Sequence, residues 1–211
     1  MKKWISLLLA TVMIFSLAAC TPDSDGSGSK GKPAVSRGEI DGNVYINDYL
    51  GFQFTKPQSW VYSTDEEIAD VLNMTAENLL NDNFKEALEK NVAIYDMMVT
   101  DMFSGTNVSV SYENLAKSLA TNITIEQYIE AVKEQLKSVS SMTVVFSDKY
   151  DTVKLGNSDY TRAVCTTTAY GVSMKQIYYL RKVGKYMAII VVTARGNYSM
   201  TDIEAMFGNI A

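Results

Sequence analysis

Residues 187–194, MAIIVVTA, carry no charge and put apolar side chains on both faces of an extended strand. Successive side chains of a strand point to opposite sides, so this strand has no side to turn toward water. It requires cover on both faces, which predicts helices packed above and below one sheet. The segments before it share its period of two: 142–155 (MTVVFSDKYDTVKL), 159–170 (DYTRAVCTTTAY) and 173–183 (SMKQIYYLRKV). Short polar turns with Gly or Asn join these four strands, and links that short favour antiparallel neighbours.

Ahead of this block the pattern is mixed. VYIN and GFQFT read as a hairpin closed around residues 48–51, and 92–103 and 107–115 as a strand pair turning at Ser104-Gly105. Thr64-Asp-Glu-Glu67 and Thr124-Ile-Glu-Gln127 are capping boxes. They predict helices to about residues 72 and 138, the second turning Ile125, Tyr128, Ile129, Val132 and Leu136 inward. A further helix is expected over about residues 76–90. A last one over about 200–210 carries Ile203, Met206, Phe207 and Ile210 on one face. The expected architecture is α+β, a three-layer α/β/α sandwich on a largely antiparallel sheet of about six to eight strands.

The stretch YINDYLGFQFTKPQSW, residues 45–60, reads Y-x-N-x-x-L-G-F-x-F-x-x-P-x-x-W. With the order of elements over 44–211 it resembles the PsbP-type fold, shared by the extrinsic photosystem II protein and a Ran-binding nuclear import factor. The resemblance implies the sandwich and carries over no functional residue.

The N-terminus is of another kind. Met1-Lys2-Lys3 precedes 16 uncharged residues, 4–19, fewer than the roughly 20 that cross a bilayer as a helix. A cationic start, a short apolar run and small residues before a cut make a secretory signal. Leu17-Ala18-Ala19-Cys20 resembles the lipobox of bacterial lipoprotein precursors. The resemblance implies a diacylglyceryl thioether on Cys20, cleavage between Ala19 and Cys20, and a membrane-anchored domain on the extracytoplasmic face. Two acyl chains suffice for stable anchoring where one does not.

The next 23 residues, 21–43, hold eleven Gly, Ser or Pro and read as a flexible tether. The expected organisation is signal peptide 1–19, lipidated Cys20 and tether 20–43, and folded domain 44–211. Within the tether, Gly26 to Lys32 has phosphate-loop spacing, but Pro33 stands where Ser or Thr must bind magnesium, and no strand precedes it. Ser27-Gly-Ser-Lys30 fits S-x-x-K without oriented partners. Both are chance matches.

Composition excludes more than it identifies. The chain has no histidine, which removes the commonest general base and the commonest transition-metal ligand. Loss of Lys2 and Lys3 leaves 17 basic and 24 acidic side chains, a balance of −7 that argues against nucleic-acid binding. Cys165, the only cysteine besides Cys20, lacks cationic neighbours and reads as a small buried side chain. Asp96 and Asp101 read as solvated positions at strand ends, and Met97, Met98 and Met102 as flexible core filling. No metal or cofactor is expected.

Charge is distributed unevenly: residues 63–96 hold nine acids and two bases, residues 171–201 five bases and no acid. Lys175, Arg181, Lys182 and Lys185 around Gly184 are therefore the candidate contact surface for anionic lipid, an anionic polymer or an acidic protein partner. The competing reading is that these cations guard strand edges against aggregation. Two functions stay open: a lipid-anchored accessory or binding protein without catalysis, or a glycan-directed hydrolase using two carboxylates about 5 to 9.5 Å apart.

Overall fold

The structure is a computed structural model that describes residues 35–118, 121–139, 141–169, 171–195 and 198–210. Ala19, Cys20 and the expected signal peptide lie outside the described residues. Among the described residues twelve strands form two sheets, and every pairing is antiparallel. The larger contains β4 (Trp60–Tyr62), β5 (Ala93–Asp101), β6 (Asn107–Asn114), β7 (Met142–Phe146), β8 (Asp151–Leu155), β9 (Ser158–Ala169), β10 (Val172–Val183) and β11 (Tyr186–Ala194). Their order is β4-β5-β6-β11-β10-β9-β7, with β8 also on β9. The smaller runs β1 (Glu39–Asp41), β2 (Val44–Asn47), β3 (Phe52–Thr55), β12 (Phe207–Gly208).

Strand β11 is covered on both faces, as its sequence requires. Ala188, Ile190 and Val192 join one hydrophobic cluster, while Met187, Ile189 and Val191 join another. The first cluster lies under the small sheet, α1 (Asp65–Leu72) and α2 (Asn81–Lys90), with Tyr45, Phe52, Phe54, Ile68, Phe84 and Leu88. The second lies under α3 (Leu115–Ser118) and α4 (Ile125–Lys137), with Leu115, Tyr128 and Ile129. The molecule is thus an α+β sandwich of three layers, one outer layer mixed helix and sheet and the other helical.

Local signals are realised where they were strongest. Thr64 accepts from Glu67 N while Glu67 Oε2 accepts from Thr64 N, and Thr124 and Gln127 repeat the reciprocal pair. The hairpin closes at Gly51, whose φ of +75° a Cβ would strain. A Cβ there would also come within 2.7 Å of Ser158 Oγ. That close approach brings the hairpin turn against the β8–β9 turn, where Asn157 N donates to Gly51 O at 2.8 Å.

Four expectations need correction. The folded region begins before Val44: β1 pairs with β2, Val35 packs on the first cluster, and Arg37 is tied into the interior. The stretch 142–155 is two strands, because four residues, 147–150, face only Ala163 and Val164 of β9. The helix over 76–90 starts as a 3-10 turn, Ala76–Leu79, before α2. The final helix stops early, α5 being Met200–Glu204. Phe207 and Gly208 pair instead with Phe54 and Gln53, so the Phe207 ring sits 4.9 Å from Phe54 and 5.2 Å from Phe52. Pairing with the free edge of β3 and stacking among aromatics outweigh one more helical turn.

Candidate functional site

Four places gather polar or reactive side chains: a buried centre at Asp96, a second at Glu113, and the two ends of the large sheet. The first arises from a bulge. Tyr95 pairs with Ser111 and Met97 with Val110, so Asp96 is the extra residue of β5 and is turned inward. Its side chain is buried. It accepts from Tyr45 Oη at 2.7 Å, Asn47 Nδ2 at 2.8 Å and Gly38 N at 3.1 Å, and Arg37 Nε stands 3.7 Å away. Asn47 Nδ2 also lies 2.9 Å from Tyr112 Oη. Arg37 forks onto Asp65 at 2.5 and 2.9 Å and donates to Leu79 O at 2.8 Å.

Burial raises the Asp96 pKa to about 6, against the opposing pull of Tyr45, Gly38, Arg37 and Asn47. Burial likewise lifts the Tyr45 and Tyr112 hydroxyls well above their ordinary value. Asp96 is therefore not a solvated strand end. Asp101 is buried too, and corrects the same expectation. Its Oδ1 accepts from Phe103 N at 3.1 Å and its Oδ2 from Ser104 Oγ at 2.6 Å. Burial pushes its pKa up, but the hydrogen bonds from Ser104 and Phe103 outweigh it and hold the carboxyl below its usual range.

Glu113, on β6, is buried and accepts from Tyr128 Oη. Burial raises its pKa. Its neighbour Tyr112 belongs to the first cluster and its partner Tyr128 to the second. Glu113 and Asp96 thus lie on opposite faces of the large sheet, which keeps them from acting as a pair on one bond.

At one end of the sheet the β10–β11 turn carries the cations singled out by sequence. Arg181 Nη1 donates to Leu50 O and Ser158 Oγ, both at 2.7 Å. Lys182 Nζ donates to Thr121 O at 2.6 Å and Ile123 O at 3.0 Å. Lys185 pairs with Glu89 at 2.6 Å, and that carboxylate also accepts from Tyr186. Lys175 is exposed and lies at the opposite end of the same strands, paired in register with Ala194. The structure therefore separates Lys175 from the other three.

Cys165 is buried between β7 and β10, and burial pushes its thiol up to about 11. Met97 is core, as expected, but Met102 is 63 % exposed, and Phe103 beside it 90 %. Sequence reading passed over this turn. The available signal was an apolar pair bracketed by Asp101 and Ser104-Gly105, side chains that close a tight turn by themselves. Among the described residues no group of three or more Cys, Asp or Glu side chains is placed to hold a metal ion.

Fold and site together define an α+β sandwich in which Asp96 and Asp101 are held by internal donors while Ser109 Oγ and Glu113 Oε1 are buried without a hydrogen-bond partner among the described residues. No protein-family model matches the chain, and no curated protein does. Among solved structures it is similar to cyanobacterial PsbP (CyanoP) from Synechocystis sp. PCC 6803, at 10 % identity over 87 % of this chain and 98 % of that one, with a TM-score of 0.47. It is also similar to a protein of Bacteroides thetaiotaomicron VPI-5482, at 12 % identity over 82 % of this chain and 50 % of that one, with a TM-score of 0.38.

Proposed function

We propose that this chain is a lipid-anchored, extracytoplasmic binding or accessory protein of a bacterial cell membrane, acting through its surface and not by catalysis. The observation that carries the reading is the clamp at Arg37 and Gly38. Arg37 is held bidentately by Asp65 on α1, and Asp96 on β5 accepts from Gly38 N. Charge-assisted forked pairs resist separation better than single contacts. The point where the segment following Cys20 enters the fold is thus fastened to both a helix and the large sheet, as a domain held by its N-terminus needs.

The placement of the buried carboxylates supports the same reading. Asp96 and Asp101 spend their oxygens on internal donors, and Asp96 and Glu113 are divided by the sheet. A glycan hydrolase would need two carboxylates facing one substrate. In intact cells, a fatty-acid analogue should label the wild-type chain and not Cys20→Ser, which stays uncleaved. Equal labelling of both overturns the anchor. Turnover of a glycan by the purified protein, lost on one Asp or Glu substitution, overturns the non-catalytic role.

A further inference from the structure

The β5–β6 turn is an exposed apolar tip on a stiff support. Asp101 N donates to Thr106 O at 2.7 Å, Gly105 N to Asp101 O at 2.8 Å, and Ser104 Oγ donates to Asp101 Oδ2 at 2.6 Å while accepting from Thr106 N at 3.1 Å. Thr106 Oγ1 then bridges to β11, donating to Arg195 O at 2.6 Å and accepting from Arg195 N at 2.9 Å. Nothing in this network covers Met102 or Phe103, which stand out at 63 % and 90 % exposure. A flexible loop would fold such side chains back, and this turn holds them out.

The strand ends on this side of the sheet carry two cations. Antiparallel order brings the C-terminal ends of β5, β9 and β11 to the same end as the N-terminal ends of β4, β6, β7 and β10. On the strand ends themselves the charged side chains are Lys175, Arg195 next to Ala194, and Asp101, which is buried in the turn. The exposed Glu134–Lys137 pair ends α4 ahead of β7, and exposed Asp202 caps α5 after β11. Lys175 is exposed, while Arg195 is half-buried, its Nε enclosed without a hydrogen-bond partner among the described residues and its Nη2 3.8 Å from Met174 Sδ on β10. Val172 adds a further exposed apolar side chain on β10. Exposed apolar side chains on the same sheet end as an exposed lysine suit an anionic bilayer surface, the first entering the acyl boundary and the second pairing with phosphates.

The tip lies on the strand that receives the N-terminal segment. From Asp96, which holds Gly38, to Asp101 at the tip is five residues of strand, about 17 Å.

We infer that Met102 and Phe103, on the sheet end that also carries Lys175 and Arg195, form a second membrane contact that inserts into the headgroup zone of an anionic leaflet and sets the orientation of the anchored domain. The inference rests on the lipid-anchored reading above. Its test uses the full lipidated chain in phosphatidylcholine–phosphatidylglycerol vesicles, with Phe103→Cys carrying an environment-sensitive dye and Glu86→Cys on α2 as the reference position. Brominated lipid should quench the dye at 103 and leave that at 86 bright. Lys175→Glu with Arg195→Glu, or vesicles without phosphatidylglycerol, should weaken insertion by about fivefold for each cation's contribution. A bright dye at 103 on vesicle-held protein overturns the contact. So does a change at 103 that follows protein density without brominated lipid, which would mean a second copy covers the tip. The acyl mass on Cys20, read on the same preparation, reports the anchor separately: lipidated protein with an unquenched residue 103 overturns the tip contact alone.

Discussion

Tyr45 donates its hydroxyl proton to Asp96 Oδ2 at 2.7 Å, across 51 positions of sequence. The bond joins β2 of the small sheet to the bulge of β5 in the large one, inside the first hydrophobic cluster. Tyr45→Phe keeps the ring and removes the donor, leaving a buried carboxylate short of one partner. The expected loss of stability is about 1–3 kcal/mol, measured by denaturant unfolding at neutral pH. An unchanged midpoint would show that the two sheets are held by apolar packing alone.

The same carboxyl predicts a pH dependence. Its folded pKa of about 6 lies above the ordinary 3.8, so between those values the folded state binds more proton than the unfolded one. Stability from this group is fully present below about pH 4 and is lost as pH rises through 6, a change of about 3 kcal/mol at about 1.4 kcal/mol per pH unit. Unfolding free energies at pH 4 to 7 should fall along this curve in the wild type, and the fall should flatten in Asp96→Asn.

Cys165 should be inert toward a thiol reagent until the protein unfolds. It is buried, and a pKa of about 11 leaves about one thiolate in ten thousand at pH 7. Reaction kinetics with increasing denaturant should follow the unfolding transition. Fast labelling of the native chain would show that the strands around Cys165 open locally.

Reversal of charge at the β10–β11 turn should leave membrane insertion untouched. Lys185→Glu faces Glu89 and loses a half-exposed pair worth about 0–1 kcal/mol. Lys182→Glu loses its donation to Thr121 O and Ile123 O. A modest loss of stability with unchanged quenching at residue 103 is the expected result. A drop in quenching would return the Gly184 turn to the contact surface.

The contrast between the two sheet ends shows what residue patterns carry. Five bases over 171–201 mark a cationic segment, but a count of charge says nothing about where each side chain goes. Arg181 and Lys182 reach carbonyls, Lys185 reaches Glu89, and Arg195, through its backbone N on Thr106 Oγ1, is joined to the support of the β5–β6 turn by pairing between strands distant in sequence. The capping boxes at Thr64 and Thr124 were legible because cap, acceptor and helix lie within four consecutive residues.

By itself the sequence determined the lipobox-like Leu17–Cys20, the two-sided burial of β11, the hairpin at Gly51 and the class of sandwich. Each depends on period, local turn chemistry or residue type, quantities written along the chain. Only the tertiary structure decided that Asp96 turns inward, that Arg37 belongs to the fold, that Phe207 pairs with Phe54 and not with one more helical turn, and that Lys175 and Arg195 share a sheet end with an apolar tip. Those outcomes come from a one-residue bulge, an unpaired sheet edge and contacts across 49 to 89 positions. There the energy of burying a polar group or completing a ladder outweighs any local preference.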